Sequence, residues 1–152
     1  MKKVTGLVVS IVFLITLSAC GAEKTKTFVG EESNVKMEIT YTYKGDEIIK
    51  QKSVNTLKYS DFSLNDDTSK KIMKEAIEKE SKKMKDVKGV KETVKENDEG
   101  IVETITIDLK NADIDTLKSK DIVSMSGNTG NGFSMKKTEK EMKKEGFKEK
   151  ED

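Results

Sequence analysis

The sequence predicts one α+β domain, in which an antiparallel sheet of about five strands carries two or three helices on one face. Three observations indicate this fold: a stretch of strict apolar–polar alternation, turn signals that join strand patterns into hairpins, and apolar residues at helical spacing. Since helices would cover one side of the sheet and leave the other side wet, we expect a two-layer sandwich.

The clearest strand pattern covers Val35–Lys44, which alternates between apolar and polar residues as a half-buried strand does. The residues of its apolar face are Val35, Met37, Ile39, Tyr41 and Tyr43. A turn signal at Lys44–Asp46 leads into a returning strand at Glu47–Tyr59, and Thr27–Val29 is a short first strand.

A second hairpin is predicted from Val90–Lys95 and Ile101–Leu109, which flank the polar segment Glu96–Gly100. Its second strand has an apolar face formed by Ile101, Ile105, Ile107 and Leu109.

The segment Asn65–Ser69 is rich in residues that cap helix starts, and an amphipathic helix follows it. The apolar stripe of this helix consists of Ile72, Met73, Ala76, Ile77 and Met84. We expect Gly89 to end the helix, and Asn111–Lys118 to form a short helix or turn.

The C-terminal part begins with a predicted loop at Ser126–Gly132. Ser134 then caps a last helix that runs to Glu145 and is closed by Gly146, since glycine accepts a positive φ at this position. Lys148–Asp152 is predicted to be a solvated tail.

The first twenty residues have the pattern of a lipoprotein signal peptide. Lys2 and Lys3 precede the apolar run Leu7–Leu17, which would cover about 16 Å as a helix against a hydrocarbon core of about 30 Å. An uncleaved membrane anchor is therefore excluded by length. The segment Leu17–Gly21 resembles a lipobox, which predicts cleavage after Ala19 and diacylglyceryl on Cys20. The alternative is a secretory peptide with an incidental cysteine.

The predicted domain organisation is a signal peptide at residues 1–19, the lipidated Cys20 with a short tether at residues 20–26, and one domain at residues 27–152. Two acyl chains give stable anchoring to a bilayer. Because the six residues Gly21–Lys26 reach at most about 20 Å, the domain must act near the membrane.

Composition excludes several function classes. The charge is nearly balanced and the sequence contains no arginine, so no nucleic-acid partner is expected. With no histidine and one cysteine that is to be lipidated, His- or Cys-based catalysis and a zinc site of the usual ligands are excluded, and we expect no metal or cofactor.

Two Ser-x-x-Lys matches, at Ser33–Lys36 and Ser134–Lys137, have the spacing of penicillin-binding enzymes. Chance explains both, since about two matches are expected at this composition. Acidic residues are too abundant to single out a catalytic pair, and we interpret Asp66–Asp67 and Asn97–Glu99 as capping and turn residues.

Aromatic and sulfur-containing residues leave two alternatives open. Tyr41, Tyr43 and Tyr59 could line a groove for a sugar or peptide, although inward-facing Tyr41 and Tyr43 would be core residues. The helical methionines are more consistent with packing than with a docking surface, and these are Met73, Met84, Met135 and Met142.

The chain resembles the YehR-like lipoproteins, a family of small lipid-anchored bacterial proteins. The segments that carry the resemblance are Cys20–Gly21, Ile39–Asp46, Lys50–Gln51, Gly89–Val90, Thr106–Leu109 and Gly146–Glu149. The resemblance covers essentially the whole chain and implies a two-layer α+β fold and a lipid anchor. It implies no catalytic residues.

The expected function is that of a non-enzymatic binding or accessory module, anchored on the extracytoplasmic face of the membrane and acting on an envelope protein or ligand. The alternative is a small envelope hydrolase or transferase that uses Ser/Lys or carboxylates. The sequence does not separate a purely structural envelope role from the binding role.

Overall fold

The computed structural model describes residues 21–120 and 132–151, in which seven strands and three α-helices follow one another. The strands are β1 (Glu23–Glu32), β2 (Val35–Lys44), β3 (Glu47–Lys58), β4 (Val90–Asn97), β5 (Gly100–Asp108), β6 (Phe133–Ser134) and β7 (Lys148–Glu149). The helices are α1 (Asp67–Met84), α2 (Ile114–Ser119) and α3 (Met135–Lys144), and one 3₁₀ turn covers Tyr59–Phe62.

The strands form one sheet with the order β4-β5-β3-β2-β1-β7, and β6 pairs with the start of β3. Every pairing is antiparallel, which confirms the predicted sheet type. The predicted number of about five strands is too low. The two additional strands, β6 and β7, have two residues each and therefore show no periodicity in the sequence.

The alternation pattern located the hairpin of β2 and β3 well. β2 has the predicted bounds Val35–Lys44, and β3 ends one residue before the prediction. The loop between β1 and β2 consists of Ser33 and Asn34, both with positive φ, as in the tight turns that suit the twist of a hairpin.

The core lies where α2 and α3 contact the sheet. Phe28, Tyr41 and Ile48 of the sheet pack with Met135, Met142 and Phe147, while Ile107 of β5 packs with Leu117 of α2. The register aligns Tyr41 with Gln51 and Gln51 with Ile107, so Tyr41 and Ile107 lie on the same face of the sheet. Both helices therefore cover this face, which we call the helix-bearing face.

The predicted tether at residues 20–26 is too long. β1 begins at Glu23, which pairs with Lys44, so Glu23–Lys26 belong to the sheet and the domain begins before residue 27. This part of β1 contains no apolar residue and is mostly exposed, so the sequence pattern does not distinguish it from a tether.

The predicted end of α1 and the predicted C-terminal tail are also wrong. α1 ends at Met84, and Gly89 lies in the turn that precedes β4 instead of closing the helix. Lys148 and Glu149 do not form a solvated tail, because they pair with Val29 and Phe28 of β1.

Other predictions at the C-terminal end are confirmed. Ser134 caps α3, and Gly146 follows the helix with a φ of +89°, a conformation that glycine adopts without steric cost. α2 confirms the short helix predicted near Asn111–Lys118. Residues 126–131 of the predicted loop lie outside the described residues.

Candidate functional site

The predicted lipid-attachment residue, Cys20, lies outside the described residues together with the predicted signal peptide. The first described residues, Gly21 and Ala22, are exposed and lead directly into β1. Within residues 21–120 and 132–151, the structure contains no helix that is both long enough and apolar enough to cross a bilayer.

The two Ser-x-x-Lys segments have structural roles. Ser33 occupies the tight turn between β1 and β2. The Ser134 hydroxyl donates to Asp46 Oδ2 at 2.7 Å and accepts a hydrogen bond from the backbone N–H of Lys137 at 3.3 Å. Since the contact between Ser134 and Lys137 uses the lysine backbone, this geometry is that of a helix cap and a link to the β2–β3 turn.

The capping and turn interpretations of the acidic segments are confirmed. Asp66 accepts hydrogen bonds from the backbone N–H and the hydroxyl of Ser69, and the side chain of Asn97 accepts from the backbone N–H groups of Glu99 and Gly100. The hydrogen bonds from Ser69 lower the pKa of Asp66. No group of three or more potential metal-ligating acidic, histidine or cysteine residues occurs among the described residues.

Tyr41 is a core residue whose ring is 3% exposed. Its ring meets that of Phe28 edge-on at a centroid distance of 6.1 Å, and its hydroxyl donates to Met142 Sδ at 3.6 Å. Burial, followed by the negative charge of Glu145, raises the pKa of Tyr41 to about 12. Tyr43 is half-buried against the same cluster.

Tyr59 is buried at the opposite end of β3, and its hydroxyl donates to Glu96 at 2.7 Å. Of the four methionines assigned to packing, Met135 and Met142 are buried in the core, whereas Met73 and Met84 are half-buried on α1. These residues therefore serve mainly as packing residues.

A polar cluster lies in the middle of the helix-bearing face, and it consists of Gln51, Asn55, Glu92 and Glu103. Asn55 aligns with Glu103 across β3 and β5, and its amide Nδ2 donates to Glu103 Oε2 at 2.8 Å. Glu92, on β4, lies within hydrogen-bonding reach of Glu103. Three acceptor atoms of the cluster are buried and receive no hydrogen bond from the described residues: Gln51 Oε1, Asn55 Oδ1 and Glu92 Oε1.

The pKa of Glu103 is raised far above that of an ordinary glutamate. Burial and the neighbouring Glu92 carboxyl raise the pKa of Glu103 to about 7, against the hydrogen bond from Asn55, which lowers it. Two carboxyl groups within hydrogen-bonding reach of each other favour a shared proton, because both cannot ionise without repulsion.

Two grooves flank the polar cluster. One has a volume of about 210 Å³ and lies between the sheet and α3, with Gln51, Ser53 and Asn55 on its polar side and Met37, Ile39 and Met142 on its apolar side. Glu32 and Glu145 stand at its exposed rim. The other, of about 640 Å³, separates α1 from β4 and is bordered by Glu92. The cluster thus lies between two openings, one beside α3 and one along the edge of β4.

No residue of this cluster was predicted from the sequence as a site residue, although the sequence contains a signal for Glu103. Glu103 stands in the same alternating series as Ile101, Ile105 and Ile107, so the pattern that placed these isoleucines in the core also places Glu103 on the helix-bearing face. A carboxylate in an apolar series is the feature that distinguishes it from the many exposed acidic residues.

Comparison with curated proteins identifies relatives that span the chain. Uncharacterized lipoprotein Lin0239 of Listeria innocua is 33% identical over 151 residues, which cover 98% of this chain and 96% of the relative. Uncharacterized lipoprotein YehR of Escherichia coli is 32% identical over 150 residues, which cover 97% and 96%. The resemblance to the YehR-like lipoproteins is thereby confirmed, and these lipoprotein relatives imply lipid anchoring to a membrane.

Comparison with solved structures shows that proteins of known structure share this fold. The NMR structure of E. coli YehR matches with a TM-score of 0.71 at 29% identity, over 85% of this chain and 91% of that chain. An NMR structure of a protein from Streptococcus pneumoniae matches with a TM-score of 0.57 at 17% identity, over 99% and 98%, and shares the fold.

The profile of the family described as "Protein of unknown function (DUF1307)" matches residues 24–148, which is most of the chain. The match begins within β1 and ends within β7, so it covers the described strands and helices apart from Glu23 and Glu149. The chain therefore belongs to the DUF1307 family.

Proposed function

We propose that the protein is a non-enzymatic binding or accessory module, a two-layer sandwich held on the extracytoplasmic face of the membrane by diacylglyceryl on Cys20. Its ligand, an envelope protein or envelope component, would lie on the helix-bearing face, in the groove between the sheet and α3. The lipoprotein relatives support the anchor.

The observation that carries the binding proposal is the set of buried acceptors without donors beside this groove. Gln51 Oε1 and Asn55 Oδ1 belong to residues that line it, next to the apolar side chains of Met37 and Ile39. An unsatisfied buried acceptor costs about 1–3 kcal/mol. A ligand that donates hydrogen bonds, such as an amide or a hydroxyl, would remove this cost while its apolar part covers the groove.

The start of β1 restricts where such a ligand can be. Only Gly21 and Ala22 separate Cys20 from the first residue of β1, and the three peptide steps from Cys20 to Glu23 span at most about 10 Å. The domain therefore lies on the bilayer surface, and we expect its partner to be at that surface or to reach it.

Site-specific photocrosslinking in intact cells tests this proposal. A photoreactive residue in place of Glu145, at the rim of the groove, is expected to give an adduct of one discrete mass. The matched control places the same residue at Glu75, which is exposed on α1 away from the residues that line this groove. Identical adducts from both positions, or none from Glu145, would contradict the proposal.

The alternative, a small envelope hydrolase or transferase, is favoured by one observation, the carboxyl pair of Glu92 and Glu103 with its shifted acidity. An assay for turnover of ester, glycoside and amide substrates by the purified lipoprotein discriminates between the enzyme and the binding module. We expect no turnover. Turnover that disappears in Glu103→Gln would establish the enzyme and overturn the binding proposal.

A further inference from the structure

The sheet has a second face, opposite the helix-bearing face, whose side chains alternate with the core residues. We call it the open face. It carries nine lysines against five acidic residues. The lysines are Lys36, Lys44, Lys50, Lys52, Lys58, Lys91, Lys95, Lys148 and Lys150, and the acidic residues are Glu23, Glu31, Glu38, Glu47 and Asp108.

The open face has an excess of four positive charges, and few of its lysines form ion pairs. Lys150 pairs with Glu38 at 2.8 Å, and it is the one lysine of this face whose ammonium group has an ion pair among the described residues. Lys50, Lys52 and Lys91 are exposed. Because the whole chain has a formal charge of only +1, the excess on this face is balanced by a net negative charge elsewhere.

Uncharged residues of β3 and β5 lie between these lysines, and two of them, Val54 and Thr56, border a hollow of about 490 Å³. Val54, Thr56, Thr104 and Thr106 occupy the centre of the open face and are half-buried by their neighbours. Since no described helix packs against this face, its lysine side chains can extend together towards a flat charged surface.

The anchor places such a surface within reach. β1 starts at one corner of the sheet, and the three peptide steps that join Glu23 to Cys20 span at most about 10 Å. A lysine side chain is about 6 Å long. A sheet that lies flat over the bilayer therefore satisfies the length of the anchor and brings several ammonium groups to the lipid phosphates at once.

We propose that the open face lies against a membrane surface of anionic phospholipid, with its lysines at the headgroups and the helix-bearing face turned away from the bilayer. The proposal depends on the lipid anchor and on charge complementarity, and it does not depend on the ligand groove. Lysines near an anionic surface are attracted over about one Debye length, which is about 8 Å at physiological ionic strength.

The test uses the lipidated protein in vesicles of phosphatidylglycerol and phosphatidylcholine, compared with vesicles of phosphatidylcholine alone. Thr93→Cys introduces a thiol on the open face, and Thr68→Cys introduces the same change at an exposed position at the start of α1. Since Cys20 is acylated, each variant has one free thiol. The measured quantity is the rate of reaction with a charged, membrane-impermeant thiol reagent.

We expect phosphatidylglycerol to slow the reaction at Thr93→Cys at least about fivefold, the factor that one lysine near an anionic surface contributes. Thr68→Cys should react at the same rate in both vesicles. About 0.5 M salt, or Lys50→Glu with Lys52→Glu, should restore the fast rate at Thr93→Cys, and an unchanged melting temperature shows that the double variant is folded.

Equal rates at Thr93→Cys in the two vesicles, or protection of Thr68→Cys instead, would overturn the proposal. A soluble polyanion such as dextran sulfate tests whether the open face binds an anionic polymer instead of an anionic membrane. Protection of Thr93→Cys by the polyanion on phosphatidylcholine vesicles, without protection by phosphatidylglycerol, would assign the open face to an anionic polymer and contradict the membrane orientation.

Discussion

Glu103 is the residue whose environment departs most from what its type prefers. Its carboxyl lies among isoleucines, beside a second carboxyl, and its pKa is raised to about 7 from an ordinary value of 4.5. The folded state therefore binds this proton more tightly than the unfolded state. The contribution of the group to stability is fully present below about pH 4.5 and is lost as the pH rises through about 7.

Glu103→Gln is expected to remove this loss, because glutamine is neutral and can still donate to Glu92. The full shift corresponds to about 3 kcal/mol. Since the side chain keeps some contact with solvent, we expect about 1 kcal/mol. The free energy of unfolding in urea should fall by about this amount between pH 5 and pH 8 in the wild type and stay level in the variant.

The control for Glu103→Gln is Glu99→Gln, at an exposed position of the hairpin between β4 and β5. This variant should keep the wild-type pH dependence. The absence of histidine makes the experiment clean, because no side chain of ordinary acidity titrates near pH 6.5. A wild-type stability that does not change between pH 5 and pH 8 would contradict the prediction.

Among the elements, the turn between β2 and β3 and the start of α3 are joined through Asp46. Its carboxylate accepts hydrogen bonds from the Lys136 backbone N–H at 2.9 Å and from the Ser134 hydroxyl, and its carbonyl accepts from the Met135 N–H. The first two of these bonds lower the pKa of Asp46. The carboxylate thus caps a helix that is distant in sequence.

Asp46→Ala should destabilise the domain by about 1 kcal/mol, the usual cost of a lost helix cap. The stabilisation by the Asp46 carboxylate is fully present above about pH 3.8, the ordinary pKa of an aspartate. It is lost as the pH falls through the lower pKa that Asp46 has in the folded state, so the loss in Asp46→Ala is expected at neutral pH. Urea unfolding at pH 7 measures it. Asp98→Ala, in the exposed turn between β4 and β5, is the matched control, and an equal loss in both variants would contradict the role of Asp46.

The two shorter helices and α1 differ in how firmly they are packed. No residue of α1 is buried, and Ile72 in its apolar stripe is 62% exposed, whereas Leu117 of α2 is completely buried. We expect Leu117→Ala to cost about 3 kcal/mol and Ile72→Ala less than about 0.5 kcal/mol in urea unfolding. A large loss in Ile72→Ala would show that α1 packs more tightly than the structure indicates.

The elements that the sequence predicted are those with local periodicity. β2 has the predicted bounds because its ten residues alternate without interruption, and α3 has both a cap and a closing glycine. β7 could not be predicted, since its two residues become a strand only through pairing with Phe28 and Val29. The exposure of Ile72 was also inaccessible to sequence, because an apolar stripe does not report how closely a helix approaches its sheet.

The site was less predictable than the fold for a related reason. Among 28 acidic residues, a pair is informative only when strand register is known, and the register of β3, β4 and β5 depends on contacts across the sheet. Capping roles, in contrast, depend on residues three positions apart. Asp66 could therefore be interpreted from sequence alone, whereas Asn55 and Glu103 could not.

For the whole molecule, the proposed anchor would determine where the protein acts. In the proposed anchor, Cys20→Ser removes the thiolate that would accept the lipid, so we expect unprocessed, unlipidated precursor in place of the mature protein. Metabolic labelling with a fatty-acid analogue, followed by cell fractionation, measures this outcome. Ser33→Cys, with Cys20 retained, is the control and should be labelled as the wild type is. Label on Cys20→Ser would contradict the assignment of the lipid to Cys20.

The pairing of β1 with β7 joins the first strand of the domain to the last, and Phe28 is covered by Met142 and Phe147 from the final helix and its end. A chain that is still emerging from the ribosome lacks these late residues, so it cannot complete its principal core. Completion of this core therefore has to wait until synthesis is finished. If the chain is exported as proposed, this arrangement would keep it longer in an unfolded state that a secretory channel can accept.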